Sequence, residues 1–321
     1  MWFDVFNNLD FKTKISFIIT CKSTKNNFII SHLHDLSGAH SIMLNKEVLE
    51  GFFYYANSLY IHFLNKTISD ISFMKNLRGL HAWGQCGISD KCIQGLELIE
   101  LDIESNPLVT DLNNMTSLKI LNASQTCGID DFGIQGLDLL VLYANDNPNI
   151  TDVSHLKNLE KLQARGKSRI DDKGILGLNL IELNVGDNKF VTNVSHMKRL
   201  KRLYAYDAST INDAGIQGLD LTLLQVGGNP RVTNVTHLKN LKNLSAYDQC
   251  GIDNAGIAGL QLVELDAGCN GRITNVSYMT SLKILHAYGS QSGIDDTGIE
   301  GLDLVHLERG SNDKITKNLT N

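Results

Sequence analysis

The chain has 321 residues, 42% hydrophobic and 20% charged, so it can bury a long core and is not a disordered tail. No apolar run reaches membrane-spanning length, and a net charge of −6 gives no long-range pull toward nucleic acid. The cysteines form no CxxC pair and MWFDVFNNLDFK lacks a basic-then-apolar leader, which predicts reduced thiols in an intracellular protein of the cytoplasm or nucleus.

Residues 1–30 carry no repeat. In VFNNLDFKTKISFIITCKSTKNNF the apolar residues Phe6, Leu9, Ile15, Phe17 and Ile18 precede a Thr20-Cys21-Lys22 run. This pattern resembles the F-box. The resemblance implies a small helical module in which Phe6, Leu9, Ile15, Ile18 and Cys21 contact a Skp-type adaptor, with a cullin beyond it. The family's opening Leu-Pro dipeptide would lie before Met1, and Thr24 stands where a large apolar residue is usual. An amphipathic helical cap is the alternative reading.

Residues 31–57 read as a helical cap or linker. NKEVLEGFFYYAN at 45–57 suits an amphipathic helix with Val48, Leu49, Phe52 and Phe53 facing inward. Residues 58–76 read as a degenerate first repeat, because Ile68 to Asn76 keep the pattern of later coils.

From residue 77 to 321 the chain repeats. Leu77, Leu118, Leu159, Leu200, Leu241 and Leu282 recur every 41 residues. A second register, Leu98, Leu139, Leu180, Leu221 and Leu262, has the same step, and Leu304 follows one residue late. Twelve units in six double units result. The second register reads LxxLxLxxN, as in LIELNVGDN at 180–188, with a column Asn106, Asn147, Asn188, Asn229, Asn270 and Asn312. An inward asparagine there can satisfy backbone groups where the chain leaves its strand. Pro107, Pro148 and Pro230 each follow such an asparagine, in a turn that needs no N–H.

The first register differs. Its third apolar position is alanine, and counting places Gln85, Thr126, Lys167, Ala208 and Gln249 in the asparagine slot. A glycine-rich return follows, as in GIDDFGIQGL at 128–137. Gly133, Gly174, Gly215, Gly256 and Gly136, Gly177, Gly218, Gly259 predict tight turns and close coil packing, since no phosphate-loop pattern occurs. Segments such as ITDVSHLKNL predict turns or single-turn helices.

These spacings resemble the leucine-rich repeat, in its short-helix subclasses. The implied fold is an α/β solenoid with a curved parallel sheet, short convex turns or 3-10 helices and a small helical N-terminal cap. The Asn-, Lys- and Ile-rich double unit also resembles repeat proteins of amoeba-infecting giant DNA viruses, which implies a host-cell location.

In that fold the residues flanking the strand leucines face the concave surface. The candidates for partner binding are Trp83, Tyr143, Arg165, Tyr204, Tyr206, Tyr247, Glu264, Asp266, His286, Tyr288 and Glu308. Tyrosines beside acids suit a protein partner with a basic face. His155, His196 and His237 recur two coils apart, ~10 Å, too far to share a zinc whose donors stand within ~4 Å. No metal, cofactor, catalytic group, membrane or nucleic-acid partner is expected. Arg309 at a core position and no evident cap predict an open sheet edge that permits an edge-to-edge homodimer. The overall expectation is a substrate receptor of a cullin ubiquitin ligase, with a structural or virion-associated binding solenoid as the alternative.

Overall fold

The computed structural model describes residues 70–316, with the backbone of His32–Leu33, Ser58–Tyr60 and Lys66. The F-box-like segment and the expected helix at 45–57 lie outside the described residues. Two compact units divide the chain, Met1–Leu142 and Tyr143–Asn321. Among the described residues, no helix is long and apolar enough to cross a membrane.

In the first unit, β1 (His32–Leu33), β2 (Ser58–Tyr60), β3 (Gly79–His81), β4 (Glu100–Asp102) and β5 (Ile120–Asn122) pair in parallel, each with its chain neighbour. β1 is thus a strand inside the stretch assigned to a helical cap or linker. β6 (Val141–Tyr143) spans the boundary. In the second unit, β7 (Lys161–Gln163), β8 (Glu182–Asn184), β9 (Arg202–Tyr204) and β10 (Leu223–Gln225) follow the same rule. So do β11 (Asn243–Ser245), β12 (Glu264–Asp266), β13 (Ile284–His286) and β14 (His306–Glu308). Each unit is therefore a parallel-sheet solenoid with one short strand per coil.

The strand register follows the sequence period. Leu203 pairs with Leu224 and Leu224 with Leu244, so successive coils are offset by the two alternating spacings of the repeat. These central leucines are buried, while the residues on either side face outward. The strands from β3 onward are short because a left-handed residue follows each. Asp207 (φ 55°), Gly228 (φ 68°) and Asp248 (φ 53°) turn the chain away from the sheet. For the aspartates that conformation costs ~1 kcal/mol each.

The asparagine column acts as expected. Asn229 is fully buried; its Nδ2 donates to Ala205 O (2.9 Å) and Ile211 O (3.1 Å), and its Oδ1 accepts from Arg231 N (2.9 Å). Asn106, Asn188, Asn270 and Asn312 repeat the pattern, each reaching back to an alanine carbonyl of the preceding coil. The asparagine of a second-register coil therefore satisfies the carbonyls of the first-register coil before it, which has no asparagine of its own.

The expected slot in the first register is corrected by one residue. Gln85, Thr126, Lys167, Ala208 and Gln249 are all exposed. The turn closes one residue later there, with Ser209 N bonded to Tyr206 O and Cys250 N to Tyr247 O, whereas Asn229 N bonds to Val226 O. The inward column is consequently Cys86, Cys127, Ser168, Ser209, Cys250 and Ser292, all buried. Ser168 Oγ and Ser292 Oγ make no hydrogen bond, so small volume is the property these positions share. Burial pushes the Cys127 and Cys250 thiols up to about 11, which keeps them neutral and unreactive.

The returning side depends on glycine in two ways. A Cβ on Gly174, Gly215 or Gly256 would collide with the carbonyl oxygen of Thr151, Thr192 or Thr233 in the preceding coil. Gly177, Gly218 and Gly259 instead adopt positive φ, between 71° and 77°. One set allows coils to approach and the other turns them. Among the described residues, helical structure is confined to single turns, Asp90–Ile93 (α1) and 3-10 turns at Phe132–Ile134, Ala214–Ile216 and Ala255–Ile257. A further ladder fixes coil spacing: Asp172 accepts from Thr192 N (2.8 Å), Thr192 Oγ1 (2.6 Å) and Asn193 N (3.1 Å), and Asp213 does the same for Thr233 and Asn234.

The final described coil is looser. Leu302, Leu304 and Leu307 are only half-buried. Arg309, at a core position, turns its Nη1 to donate to Ile315 O at 2.9 Å.

Candidate protein-interaction surface

Strand periodicity decides which side chains leave the core. In each three-residue strand the middle leucine points inward and its two neighbours point outward. In the second unit this places Leu223, Gln225, Asn243, Ser245, Glu264, Asp266, His286 and Glu308 on one face of β10–β14. They line a shallow trough, closed on one side by Tyr288. Of the residues singled out from sequence, Glu264, Asp266, His286, Tyr288 and Glu308 are brought together here. Trp83 is 41% exposed and belongs to the first unit. Tyr143 lies at the start of the second unit, with the Lys161 ammonium 5.5 Å from its ring centre.

The tyrosines beyond the strands are not free anchors. An added Cβ on Gly186, Gly227 or Gly268 would fall inside the ring of Tyr206, Tyr247 or Tyr288, respectively. Each ring therefore packs on the glycine of the preceding coil and is half-buried. The pairing was present in the sequence and overlooked: glycine sits 20 residues before each of these tyrosines, while Glu104 precedes Ser124 and Asn145 precedes Arg165.

Lys161 and Arg202 are neutralised within the protein. Lys161 Nζ lies 2.9 Å and Arg202 Nε 2.6 Å from the two carboxylate oxygens of Glu182, which is 6% exposed. Gln163 Nε2 also donates to Glu182 Oε1, at 3.1 Å. Burial works against this carboxylate, but the two cations outweigh it and hold it below the usual range. Tyr204 stands beside this cluster, its phenol raised by burial and by Glu182. Arg165 is exposed.

The trough keeps an acidic character. Asn243 Nδ2 donates to Glu264 Oε2, Gly268 N donates to Asp266 Oδ1 at 3.0 Å, and His286 Nδ1 lies 2.6 Å from Glu308 Oε2. Burial raises the Asp266 carboxyl, and Glu308 adds to the rise against the pull of Gly268 N–H and His286. Burial, then Asp207, Asp266 and Asp248, push the Tyr247 phenol up to about 12. Its hydroxyl is therefore a hydrogen-bond donor at any physiological pH.

That shift has a thermodynamic sign. An unfolded tyrosine ionises near the reference value of 10.0, whereas folded Tyr247 holds its proton to about 12. Stability contributed by the protonated phenol is complete below 10 and is lost as pH rises toward 12. Alkaline titration followed at the tyrosinate absorbance band should show a late, cooperative fraction that shrinks in Tyr247→Phe, the phenols of Tyr204, Tyr278 and Tyr288 being raised as well. Ionisation of every tyrosine near 10 would contradict the placement.

A scan against protein-family models finds no match, and neither does a search of curated proteins. Solved structures do match. An internalin (inlF) from Listeria monocytogenes superposes with a TM-score of 0.50 at 20% identity, over 77% of this chain and 86% of that one. The functional domain of InlJ from the same bacterium gives 0.49 at 18% identity, over 84% of this chain and 66% of that one. Both are leucine-rich repeat proteins. With the leucine register, the asparagine column and one short parallel strand per coil, the likeness to the inlF internalin shows a leucine-rich repeat solenoid fold.

Proposed function

We propose that this chain is a protein-binding solenoid whose partner docks along the outward face of β10–β14. The observation that supports this most directly is the trough itself. It joins carboxylates at Glu264, Asp266 and Glu308 to the Tyr288 phenol, with the Tyr247 phenol within the electrostatic reach of Asp266 and both rings packed on glycines. Rigid aromatic side chains lose little entropy on binding, and a cluster of carboxylates favours a cationic partner. A partner with a basic, extended or convex segment fits best. This reading assigns binding rather than catalysis.

A second reading rests on residues 1–30. There Phe6, Leu9, Ile15, Ile18 and Cys21 match the F-box pattern, so the solenoid would present its bound partner to a Skp-type adaptor and cullin for ubiquitin transfer, in cytoplasm or nucleus. A structural or virion-associated role without ligase partners is its competitor.

One affinity capture from cells expressing the chain tests both. Tyr247→Phe with Glu264→Lys keeps the ring on Gly227 but removes the hydroxyl and reverses one charge. It should lose the trough partner while retaining adaptor and cullin. Phe6→Ala with Leu9→Ala should do the reverse. Unchanged capture by the first variant would move the partner site elsewhere. Absence of adaptor and cullin from the unmodified chain would leave the virion-associated or structural reading.

A further inference from the structure

We propose that His286, His306 and Glu308 form a binding site for a divalent transition-metal ion of the zinc class. The three side chains offer two imidazole nitrogens and a carboxylate oxygen that all lie within 4.8 Å of one another. The fold explains why they meet. His306 and Glu308 occupy the first and third positions of β14, so both leave the same face of the sheet. His286 is the register partner of Glu308 on the neighbouring strand β13. The two rings stand 5.4 Å apart at 56°, and His286 Nδ1 is 2.6 Å from Glu308 Oε2.

Donors ~2.0–2.1 Å from a tetrahedral zinc are ~3.4 Å from each other. Closing the present triangle therefore needs side-chain movement of about an ångström. Glu308 and His306 are exposed and His286 is only half-buried, so rotamers can supply it without moving the sheet. Two imidazoles favour zinc, copper, nickel or cobalt over magnesium or calcium, which prefer oxygen alone. The open face leaves a fourth position for water or for a group from a bound molecule. Asp266, register partner of His286 on β12, stands beside the site as a possible fourth protein donor.

The chain contains an internal comparison. At the equivalent positions of the first unit, His81 Nδ1 lies 3.5 Å from Asp102 and its Nε2 lies 3.8 Å from Glu100. There a carboxylate takes the place of His306, leaving a single imidazole between two acids. The second imidazole is what changes the chemistry at β13–β14. His155, His196 and His237, which the sequence period draws attention to, are not part of the group. The site stands whether or not a protein partner docks on the trough.

The test is calorimetric titration of the untagged full chain with zinc chloride, repeated with cobalt chloride to read the coordination bands. One equivalent of zinc should bind, and His306→Ala and Glu308→Gln should each weaken it by about tenfold or more. Lowering to about pH 5 should weaken it, because protons compete with a metal for such donors. A variant with His155, His196 and His237 all changed to Gln should bind as the unmodified chain does. Circular dichroism confirms that the variants remain folded. No binding at roughly 100 µM zinc, or equal binding by His306→Ala, would overturn the assignment, as would loss of binding in the triple Gln variant.

Discussion

Gly215→Ala should destabilise the protein by roughly 3 kcal/mol or more, a large effect for one added methyl group. The new Cβ would overlap Thr192 O in the preceding coil. That oxygen cannot easily retreat, because Asp172 holds Thr192 through its N–H, its hydroxyl and the N–H of Asn193. Gly259→Ala is the control. Nothing lies within 4 Å of a Cβ there, and its strain comes from a φ of +73° alone. It should cost about 1 kcal/mol. Thermal melts should therefore separate the two by several degrees, roughly 2–4 °C per kcal/mol in a domain of this size. Equal, small shifts would mean that neighbouring coils sit farther apart than described.

Asn229→Ala should cost about 2–4 kcal/mol, because it leaves two buried carbonyls without a donor. Those carbonyls belong to Ala205 and Ile211, in the coil before the mutated one. Hydrogen exchange should show the damage in both coils, from about Leu200 to Asn240, rather than in the mutated coil alone. Asn229→Asp should be worse than Ala near neutral pH, since a carboxylate would face two carbonyl oxygens in a dry interior. Loss of protection confined to residues 221–240 would argue that the side chain serves only its own coil.

The fold was legible because a leucine period survives substitution of everything around it. Leu203, Leu224 and Leu244 could be placed on adjacent strands by counting alone. The asparagine column was equally plain, since only an amide offers donors and an acceptor to the freed carbonyls. Counting failed where backbone geometry departs from the pattern. The first-register turn closes one residue late, so Gln249 was placed inside and Cys250 fills the position instead. No side-chain period announces a shift of that kind, although a column holding only cysteine or serine was a visible clue.

The candidate surface was half legible. Alternation along β12 and β14 correctly put Glu264, Asp266 and Glu308 outward, but it said nothing of how Tyr247 lies. That required seeing Gly227 and Tyr247 as one feature, two coils contributing to one contact. The His286–His306 pair was not legible as a cluster. Period drew attention to His155, His196 and His237, whereas His286 and His306 share no period and meet through strand register.

The backward reach of each asparagine also sets a rule for how such a chain can change length. A first-register coil is incomplete until the next coil supplies its amide, as Asn229 does for Ala205 and Ile211. Duplication or loss of a whole pair leaves every carbonyl matched, but a gain or loss of one coil orphans a set. The array is thus built in dimers of coils, and recombination that respects its chemistry must move in even steps.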